Sequence, residues 1–349
     1  MKKLRILAVM NDSTSVGHFR SGWPGAYIRD NFKDEIEIIV LPIESIMVWD
    51  MKMLSLFDVI HFNRFFGYIE SVNELFPLIQ SHGIKLVMDI DDHWELPDEF
   101  PSKKDMLKEL GGSMEGILNI IRKADHVTTT TELFKKELLK LNENVSVLPN
   151  AIDMSHKMWQ FEEKPREKVN IAWLGSSQRY HDLLRLKDSI AKLYVDQELK
   201  GKFTITQYGG DKIDNEIFEG EGFIHLPQLP PFLYGSYYSG ADICLAPLKD
   251  NIYNQCKSEI KMVEAGMNNK VFVCQDYGIY SEHITHGVNG FLIENDDKWY
   301  DILKSLILDK ETRNKVSGNL NDYVKVKFSL DSIARKRIQF YKSLCNGEN

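Results

Sequence analysis

Three acidic side chains follow one apolar strand in the segment MDIDDHWELP. Asp89 and Asp91 share a face, because side chains two positions apart in a strand point the same way, and Asp92 comes at the strand's tip. Acids this close repel one another and therefore need cations, hydroxyl donors or water around them. The cluster suits an acid/base or sugar-binding site. The alternatives are a solvated loop whose acids cap a helix after Pro97, and a magnesium pair.

Basic side chains come after two other strands of the same half. The loop NDSTSVGHFRSGWPG follows the first strand and contains Gly17, which permits a tight turn, with His18 and Arg20 beside it. Arg64 comes directly after the strand over 59–62. An open sheet presents its ligand crevice at such strand ends, so these residues could clamp a phosphate or a carboxylate. A merely tight turn and a solvated arginine are the alternatives.

A similar strand–glycine–helix transition occurs in the second half, in IAWLGSSQRYHDL. Gly175 and Ser177 form the turn, and Arg179 and His181 follow where a helix begins. Helix N-termini attract anions, which predicts an anion site here. The alternative is simple N-capping of the helix by Ser177 or Asp182.

The segment NQCKSEIKMVEAG predicts a second helix start with charged side chains. Ser258 is a good N-cap for a helix that runs to Gly266, and Lys257 at that end suits a phosphate. Lys257, Lys261 and Glu264 recur at four and three residues, so they share one helix face. A face of mixed charge is usually only solvated, but an apolar strand follows, so this helix is expected to pack on a sheet end.

Short apolar runs alternate with amphipathic stretches along the whole chain, which is typical of βαβ units around a parallel sheet. Strands are predicted over 4–10, 36–41, 59–62, 85–90, 126–129 and 145–148, and again over 170–174, 203–208, 223–226, 243–247 and 271–274. The main helices are predicted over 25–32, 70–81, 104–122, 131–141, 182–194, 258–265 and 330–345.

The pattern predicts an α/β protein of two Rossmann-like domains that face a central cleft. The first domain covers 1–153, a polar linker covers 154–168, and the second domain covers 169–329. The last stretch, 330–349, is a basic amphipathic helix expected to pack across the domains.

Composition excludes several classes of protein. The 349 residues carry 43 Lys and Arg against 51 Asp and Glu, and residues 1–160 hold 18 against 24, a net charge of −6. Broad contact with nucleic acid is therefore disfavoured. The four cysteines have no metal-binding spacing and predict reduced thiols without a zinc site. The apolar run near the start is too short for a signal peptide, so we expect a cytoplasmic protein without a membrane span.

Eight stretches, taken in order, resemble the retaining nucleotide-sugar glycosyltransferases of the group-1 (family 4) class, which have the GT-B fold. They are GHFR, DIDDHW, ADHVTTTTELFKKEL, VLPNAID, IAWLGS, ADICLAPL, NQCKSEIKMVEAG and EHITHGVNGFLIEN, and they span nearly the whole chain. The resemblance implies a donor site in the second domain, an acceptor site in the first, and reaction in the cleft between them. It also implies that no metal or other cofactor is required.

The resemblance implies roles for individual residues. Glu264 would bind the nucleotide ribose, the amides of Ser258 and Glu259 would hold the diphosphate, and Arg179, with His181, would touch phosphate. The donor-site residues are Gly17, His18, Gly175, Ser177, Arg179, His181, Asn254, Lys257, Ser258, Glu259, Lys261 and Glu264. We expect Asp91, Asp92 and Arg64 to be the catalytic residues, with Arg20, Asp89 and His93 on the acceptor side.

Two positions depart from the class. The class has a glutamate with seven residues between it and the EAG glutamate, and that position here is Cys256. The donor sugar's hydroxyls must then be contacted from elsewhere, such as from Asn254 or Lys257. The class also often has a histidine where this chain has Asp91, which changes the contacts to the sugar or to the acceptor hydroxyl.

We therefore expect a transferase that moves a hexosyl or pentosyl group from a UDP- or GDP-linked sugar to a hydroxyl, with retention. The expected partners are the nucleotide sugar and a glycan or another hydroxyl acceptor. A hydroxymethylated pyrimidine in DNA is an alternative acceptor that the charge disfavours. The alternative functions are a nucleotide-sugar epimerase and a catalytically silent GT-B partner subunit.

Overall fold

The computed structural model describes residues 3–11, 15–66, 72–100, 103–104, 114–162, 166–175, 179–210 and 222–346. Ser177 and residues 105–113 of the helix expected over 104–122 lie outside these ranges. The described residues form two parallel six-stranded sheets, one in each half of the chain. No described helix is long and apolar enough to cross a membrane.

The first sheet has the strand order β2-β1-β3-β4-β5-β6, and all its pairs are parallel. Its strands are β1 (Leu4–Met10), β2 (Ile36–Pro42), β3 (Val59–Asn63), β4 (Lys85–Asp89), β5 (His126–Thr129) and β6 (Val145–Val147). All six were expected from their apolar runs. The interior strands β3 and β5, each of which pairs with two neighbours, are buried along their whole length, as expected for a parallel sheet covered on both faces.

The second sheet has the order β12-β11-β10-β7-β8-β9 and is also parallel. Its strands are β7 (Val169–Leu174), β8 (Phe203–Tyr208), β9 (Phe223–Leu226), β10 (Ile243–Ala246), β11 (Val271–Gln275) and β12 (Phe291–Ile293). Only β12 was not expected, because three residues are too few to show an apolar run that differs from a loop.

Helices connect the strands on both faces of each sheet. In the first half they are α1 (Ser15–Gly17), α2 (Trp23–Asn31), α3 (Ile43–Ile46), α4 (Met51–Leu54), α5 (Val72–Ser81), α6 (Glu115–Lys123) and α7 (Glu132–Leu138). In the second half they are α8 (Tyr180–Leu183), α9 (Lys187–Val195), α10 (Ile252–Gln255), α11 (Ile260–Met267), α12 (Ile279–His283), α13 (Lys298–Leu308), α14 (Lys310–Lys327) and α15 (Leu330–Asn346). A π-helical turn covers His18–Gly22, and 3₁₀ segments cover Lys157–Trp159, Leu184–Leu186 and Pro231–Gly240.

The helix α11, which carries the EAG sequence, is held by close packing on α14. A Cβ added to Gly266 would lie 2.8 Å from a Val324 methyl group and 2.9 Å from Leu320. Glycine is therefore required there by the approach of the two helices. This packing fixes the direction in which the first turn of α11 points.

The C-terminal helix α15 returns from the second domain and packs on the first sheet. Its Ile338 and Leu344 belong to the same apolar cluster as Ile6 of β1. The Tyr341 hydroxyl lies 2.6 Å from Nδ1 of His61 on β3. The helix therefore crosses between the domains, as expected from its amphipathic sequence.

A buried ion pair joins the π-helical turn to the end of β4. Arg20 donates from Nε to Oδ1 of Asp89 at 2.9 Å and from Nη2 to Oδ2 at 2.7 Å, and both side chains are fully buried. Burial alone would raise the pKa of Asp89, but Arg20 and His61 hold it well below its usual value. Arg20 also donates to the Leu148 carbonyl and to the Asn150 side chain.

We predict that Asp89→Ala destabilises the protein by about 3–5 kcal/mol, because it leaves the Arg20 guanidinium buried without its counter-charge. Urea unfolding followed by circular dichroism measures this change. Asp30→Ala is the matched control, because it breaks an exposed pair with Arg29 and should leave the free energy of unfolding nearly unchanged. Equal losses in the two variants would contradict the role given to burial.

Candidate active site

A cavity of about 830 Å³ lies between the two domains. Its lining includes His18 after β1 and Asp91 and Asp92 after β4, all from the first domain. From the second domain it includes Gly175 after β7 and Ser258 before α11. Both groups come from the carboxyl ends of parallel strands, where α/β sheets bind their ligands. The size is within the usual range for small-molecule sites.

The two cavity acids of the first domain share one arginine. Arg64 donates from Nη2 to Oδ1 of Asp91 at 2.8 Å and, at 3.4 Å, to Oδ2 of Asp92. Its backbone has a φ of 58°, in the left-handed region, and its amide donates to the Asp89 carbonyl at 2.8 Å. A non-glycine residue in this conformation is uncommon and is found at functional sites.

The two acids differ in protonation behaviour. Burial raises the pKa of Asp91, and repulsion from Asp92 and Asp89 adds to this, although Arg64 opposes it. Burial also acts on Asp92, but Lys257 and Arg64 outweigh it and lower its pKa to about 2. Asp92 is therefore the stable anion of the pair.

Asp92 makes the closest ionic contact between the domains among the described residues. The Lys257 ammonium donates to its Oδ1 at 2.6 Å, and the Tyr253 hydroxyl donates to its Oδ2 at 3.2 Å. Lys257 also lies 4.2 Å from the centre of the Tyr253 ring. A first-domain residue, Phe100, packs edge-on against the same ring at 5.5 Å. The loop after β4 thus contacts the second domain directly.

Arg179 lines the cavity, and contacts with Asn254 and Asp182 hold its guanidinium in place. It donates from Nη2 to the Asn254 side chain at 2.6 Å and lies 2.7 Å from Oδ2 of Asp182. Asn254 in turn donates to Asp182 at 2.9 Å. The Arg179 Nη1 atom has no hydrogen-bond partner in the described part of the chain. A partly exposed guanidinium in the lining of a cavity is suited to an anionic ligand.

The residues at the start of α11 point in different directions. Ser258, Ile260 and Lys261 line the cavity. Glu259 is buried instead, and its Oε1 accepts from the Asn150 amide at 3.0 Å, which ties α11 to the end of the first domain. Burial raises the pKa of Glu259 to about 7.

The structure brings part of the expected site to the cavity. The expected residues that line it are His18, Asp91, Asp92, Gly175, Arg179, Lys257, Ser258 and Lys261. The expected residues outside its lining are Gly17, Arg20, Arg64, Asp89, His93, His181, Asn254, Glu259 and Glu264. Arg64 and Asn254 remain in direct contact with lining residues.

Four of these residues are interior ones. Arg20 and Asp89 neutralise each other in the core of the first domain. His93 is buried against Trp94 at a ring distance of 4.1 Å, and burial lowers its pKa. His181 is also buried, 3.7 Å from the Asp182 carboxylate. None of the four presents its side chain to the cavity in this structure.

The aromatic part of the lining was not expected from the sequence. It consists of Phe19, Trp23, Phe100, Trp173, Tyr208, Tyr234, Tyr237, Tyr253 and Tyr280. These residues come from separate loops and strands, so no spacing in the sequence marks them. Among the described residues, no three His, Cys, Asp or Glu side chains are grouped as a metal site.

We predict a pH-dependent contribution from Glu259. Its pKa is higher in the folded protein than in the unfolded chain, so the stability gained from its proton is lost as pH rises from about 4.5 through 7. Glu259→Gln keeps an acceptor for the Asn150 amide but cannot titrate. Urea unfolding at pH 5 and at pH 8.5 measures the change. Between these two pH values, the free energy of unfolding should fall by about 3 kcal/mol less in Glu259→Gln than in the parent protein. Glu282→Gln, which changes an exposed side chain, is the control. Its free energy of unfolding should depend on pH as that of the parent protein does.

No protein-family model matches this sequence, and a comparison with curated proteins finds no significant relative. Solved structures do match over nearly the full length. A glycosyltransferase from Rickettsia africae is 14% identical, with a TM-score of 0.65 and 99% of each chain covered. Sucrose-phosphate synthase from Thermosynechococcus elongatus is 12% identical, with a TM-score of 0.64, covering 99% of this chain and 100% of its own.

HepE from Anabaena, solved in complex with UDP-glucose, is 13% identical to this chain. Its TM-score is 0.63, and the match covers 97% of this chain and 100% of HepE. Together with the two parallel sheets and the cleft between them, these similarities confirm the expected fold. The chain has the two-domain α/β architecture known as GT-B.

Proposed function

We propose that this protein is a glycosyltransferase that moves a sugar from a UDP- or GDP-linked donor to a hydroxyl, with retention and without a metal ion. One observation carries the proposal. Cations of the second domain, at the start of α11 and at Arg179, face carboxylates of the first domain across a cavity that fits a small molecule. Cations suit a leaving diphosphate, and carboxylates suit an incoming hydroxyl.

The donor's diphosphate would bind among the cations. Lys261 lies in the first turn of α11, Lys257 precedes that turn, and Arg179 lines the same cavity. The N–H groups at a helix start add partial positive charge to the same place. The charge that develops on the leaving group is then stabilised without a metal ion. HepE, which shares the fold, binds UDP and UDP-glucose.

The acceptor hydroxyl would approach from the side of Asp91. It attacks the anomeric carbon on the face from which the diphosphate leaves, so the new C–O bond replaces the old one with the same configuration. The hydroxyl proton passes to an oxygen of the departing diphosphate. Asp91, held by Arg64 at 2.8 Å, would orient the hydroxyl.

The first experiment is an activity assay with a panel of nucleotide sugars, with and without EDTA. We predict that mass spectrometry detects release of UDP or GDP by donor hydrolysis, at the same rate in EDTA. Lys257→Met should weaken nucleotide binding by about 1–3 kcal/mol, the cost of a lost charge-assisted hydrogen bond. Lys298→Met, an exposed lysine on α13, is the control. Loss of turnover in EDTA that Mg²⁺ or Mn²⁺ restores would contradict metal independence.

The two cavity acids can be separated by substitution. We predict that Asp91→Asn lowers kcat by more than it weakens donor binding, because the acceptor side is changed and the second domain is untouched. Asp92→Asn removes the negative partner of Lys257 and should alter donor affinity as well. Steady-state kinetics and calorimetry on both variants test this. Transfer at the parent rate in both would make the acids structural.

A further inference from the structure

The Glu264 carboxylate, in the middle of α11, is surrounded by hydrogen-bond donors. Its Oε2 accepts from the Tyr238 hydroxyl at 2.7 Å, from the Tyr234 hydroxyl at 3.1 Å and from the Lys261 ammonium at 3.2 Å. Lys261 also donates to the Tyr234 hydroxyl. A single oxygen atom thus holds three side chains from two different elements in place.

Glu264 does not face the cavity, but two of its partners do. Lys261 and Tyr234 line the cavity, whereas Glu264 does not belong to its lining. The Lys261 side chain is 36% exposed and that of Glu264 only 2%. The Lys261 ammonium also lies 5.0 Å from the centre of the Tyr234 ring. A ligand in the cavity therefore meets the lysine and the tyrosine before it meets the carboxylate.

The charges favour the same arrangement. An anionic ligand at the start of α11 would be repelled by an open carboxylate but attracted by an ammonium group. Burial tends to lower the pKa of Lys261, yet Glu264 and Tyr234 raise it above its usual value. Burial raises the pKa of Tyr234. The lysine therefore stays charged and the tyrosine keeps its proton at neutral pH.

We propose that Glu264 is a positioning residue: it holds Lys261 and Tyr234, and the Lys261 ammonium binds the phosphate groups of the nucleotide. This inference rests on the proposed function. It differs from the ribose contact that the sequence resemblance implies for Glu264. A ribose contact would act on a nucleoside as much as on a nucleotide, whereas a phosphate contact acts on the nucleotide alone.

The test is a double-mutant cycle with two kinds of ligand. Affinities for UDP and GDP, and for uridine and guanosine, are measured by calorimetry on the parent, Lys261→Met, Glu264→Gln and the double variant. We expect Lys261→Met to weaken nucleoside diphosphate binding about 10-fold and to leave the nucleoside unchanged. Glu264→Gln should weaken the same ligand several-fold. In the double variant, the loss of affinity should be no larger than in Lys261→Met alone, because Glu264 acts through the lysine.

A second triad on the surface supplies matched controls. Asp196 accepts from the Tyr300 hydroxyl at 2.6 Å and from the Lys304 ammonium at 2.7 Å, and none of the three lines the cavity. Lys304→Met and Tyr300→Phe repeat the chemical changes and should leave both affinities unchanged. If Glu264→Gln does not fold, Tyr234→Phe replaces it, because it removes the hydroxyl that Lys261 and Glu264 share.

The outcomes separate the two proposals. Losses that add in the double variant, together with weaker nucleoside binding in Glu264→Gln, would overturn the positioning role and support a direct ribose contact. A parent protein that binds neither diphosphate would overturn the proposed function itself. The positioning role is supported if both single variants lose affinity for the nucleoside diphosphate but not for the nucleoside, and if the two losses do not add in the double variant.

Discussion

The buried ion pair between Arg20 and Asp89 is the interaction on which the geometry of the cavity depends. Two charges removed from water are stable only while each satisfies the other, so the π-helical turn and the end of β4 cannot separate. Asp91 and Asp92 follow Asp89 directly, and His18 precedes Arg20 by two residues. The same guanidinium binds the Asn150 side chain, and the Asn150 amide binds Glu259 next to α11. One neutralised pair therefore sets the positions of side chains in both domains.

Charge is divided between the domains across the cleft. The second domain supplies Arg179, Lys257 and Lys261, and the first domain supplies Asp91 and Asp92. In this structure Lys257 and Asp92 satisfy each other. An anionic ligand that reaches Lys257 competes with Asp92 for it, and the displaced carboxylate keeps Arg64 and Tyr253 as partners. Binding of an anion at Lys257 is thus coupled by electrostatics to the carboxylates of the first domain.

Local patterns predicted the strands and the residues that follow them well, because both are properties of short segments. Asp91, Asp92, Arg179 and Lys257, for example, were expected at the site from short segments of sequence, and all four line the cavity. The direction of a side chain at a strand end is not a local property. Asp89 points into the core because Arg20, far away in the sequence, lies there, and His93 does so because Trp94 and Phe134 give it an aromatic environment. The aromatic lining likewise arises only when loops from both domains meet.

Cys256 helps to explain why the accessible acids of the cavity come from the first domain. It stands where the class that the sequence resembles has a glutamate, and here it is buried in the apolar cluster of the first domain. Burial raises the pKa of its thiol to about 12, so it stays neutral. Asn254, the nearby polar side chain, is engaged by Arg179, Asp182 and the Lys249 carbonyl. Among the described lining residues, Asp182 is the one second-domain acid, and its side chain is 2% exposed, against 13% for Asp91 and 30% for Asp92. The carboxylates most accessible to a ligand therefore reach the cavity from the first domain, so its lining is complete only when both domains are present.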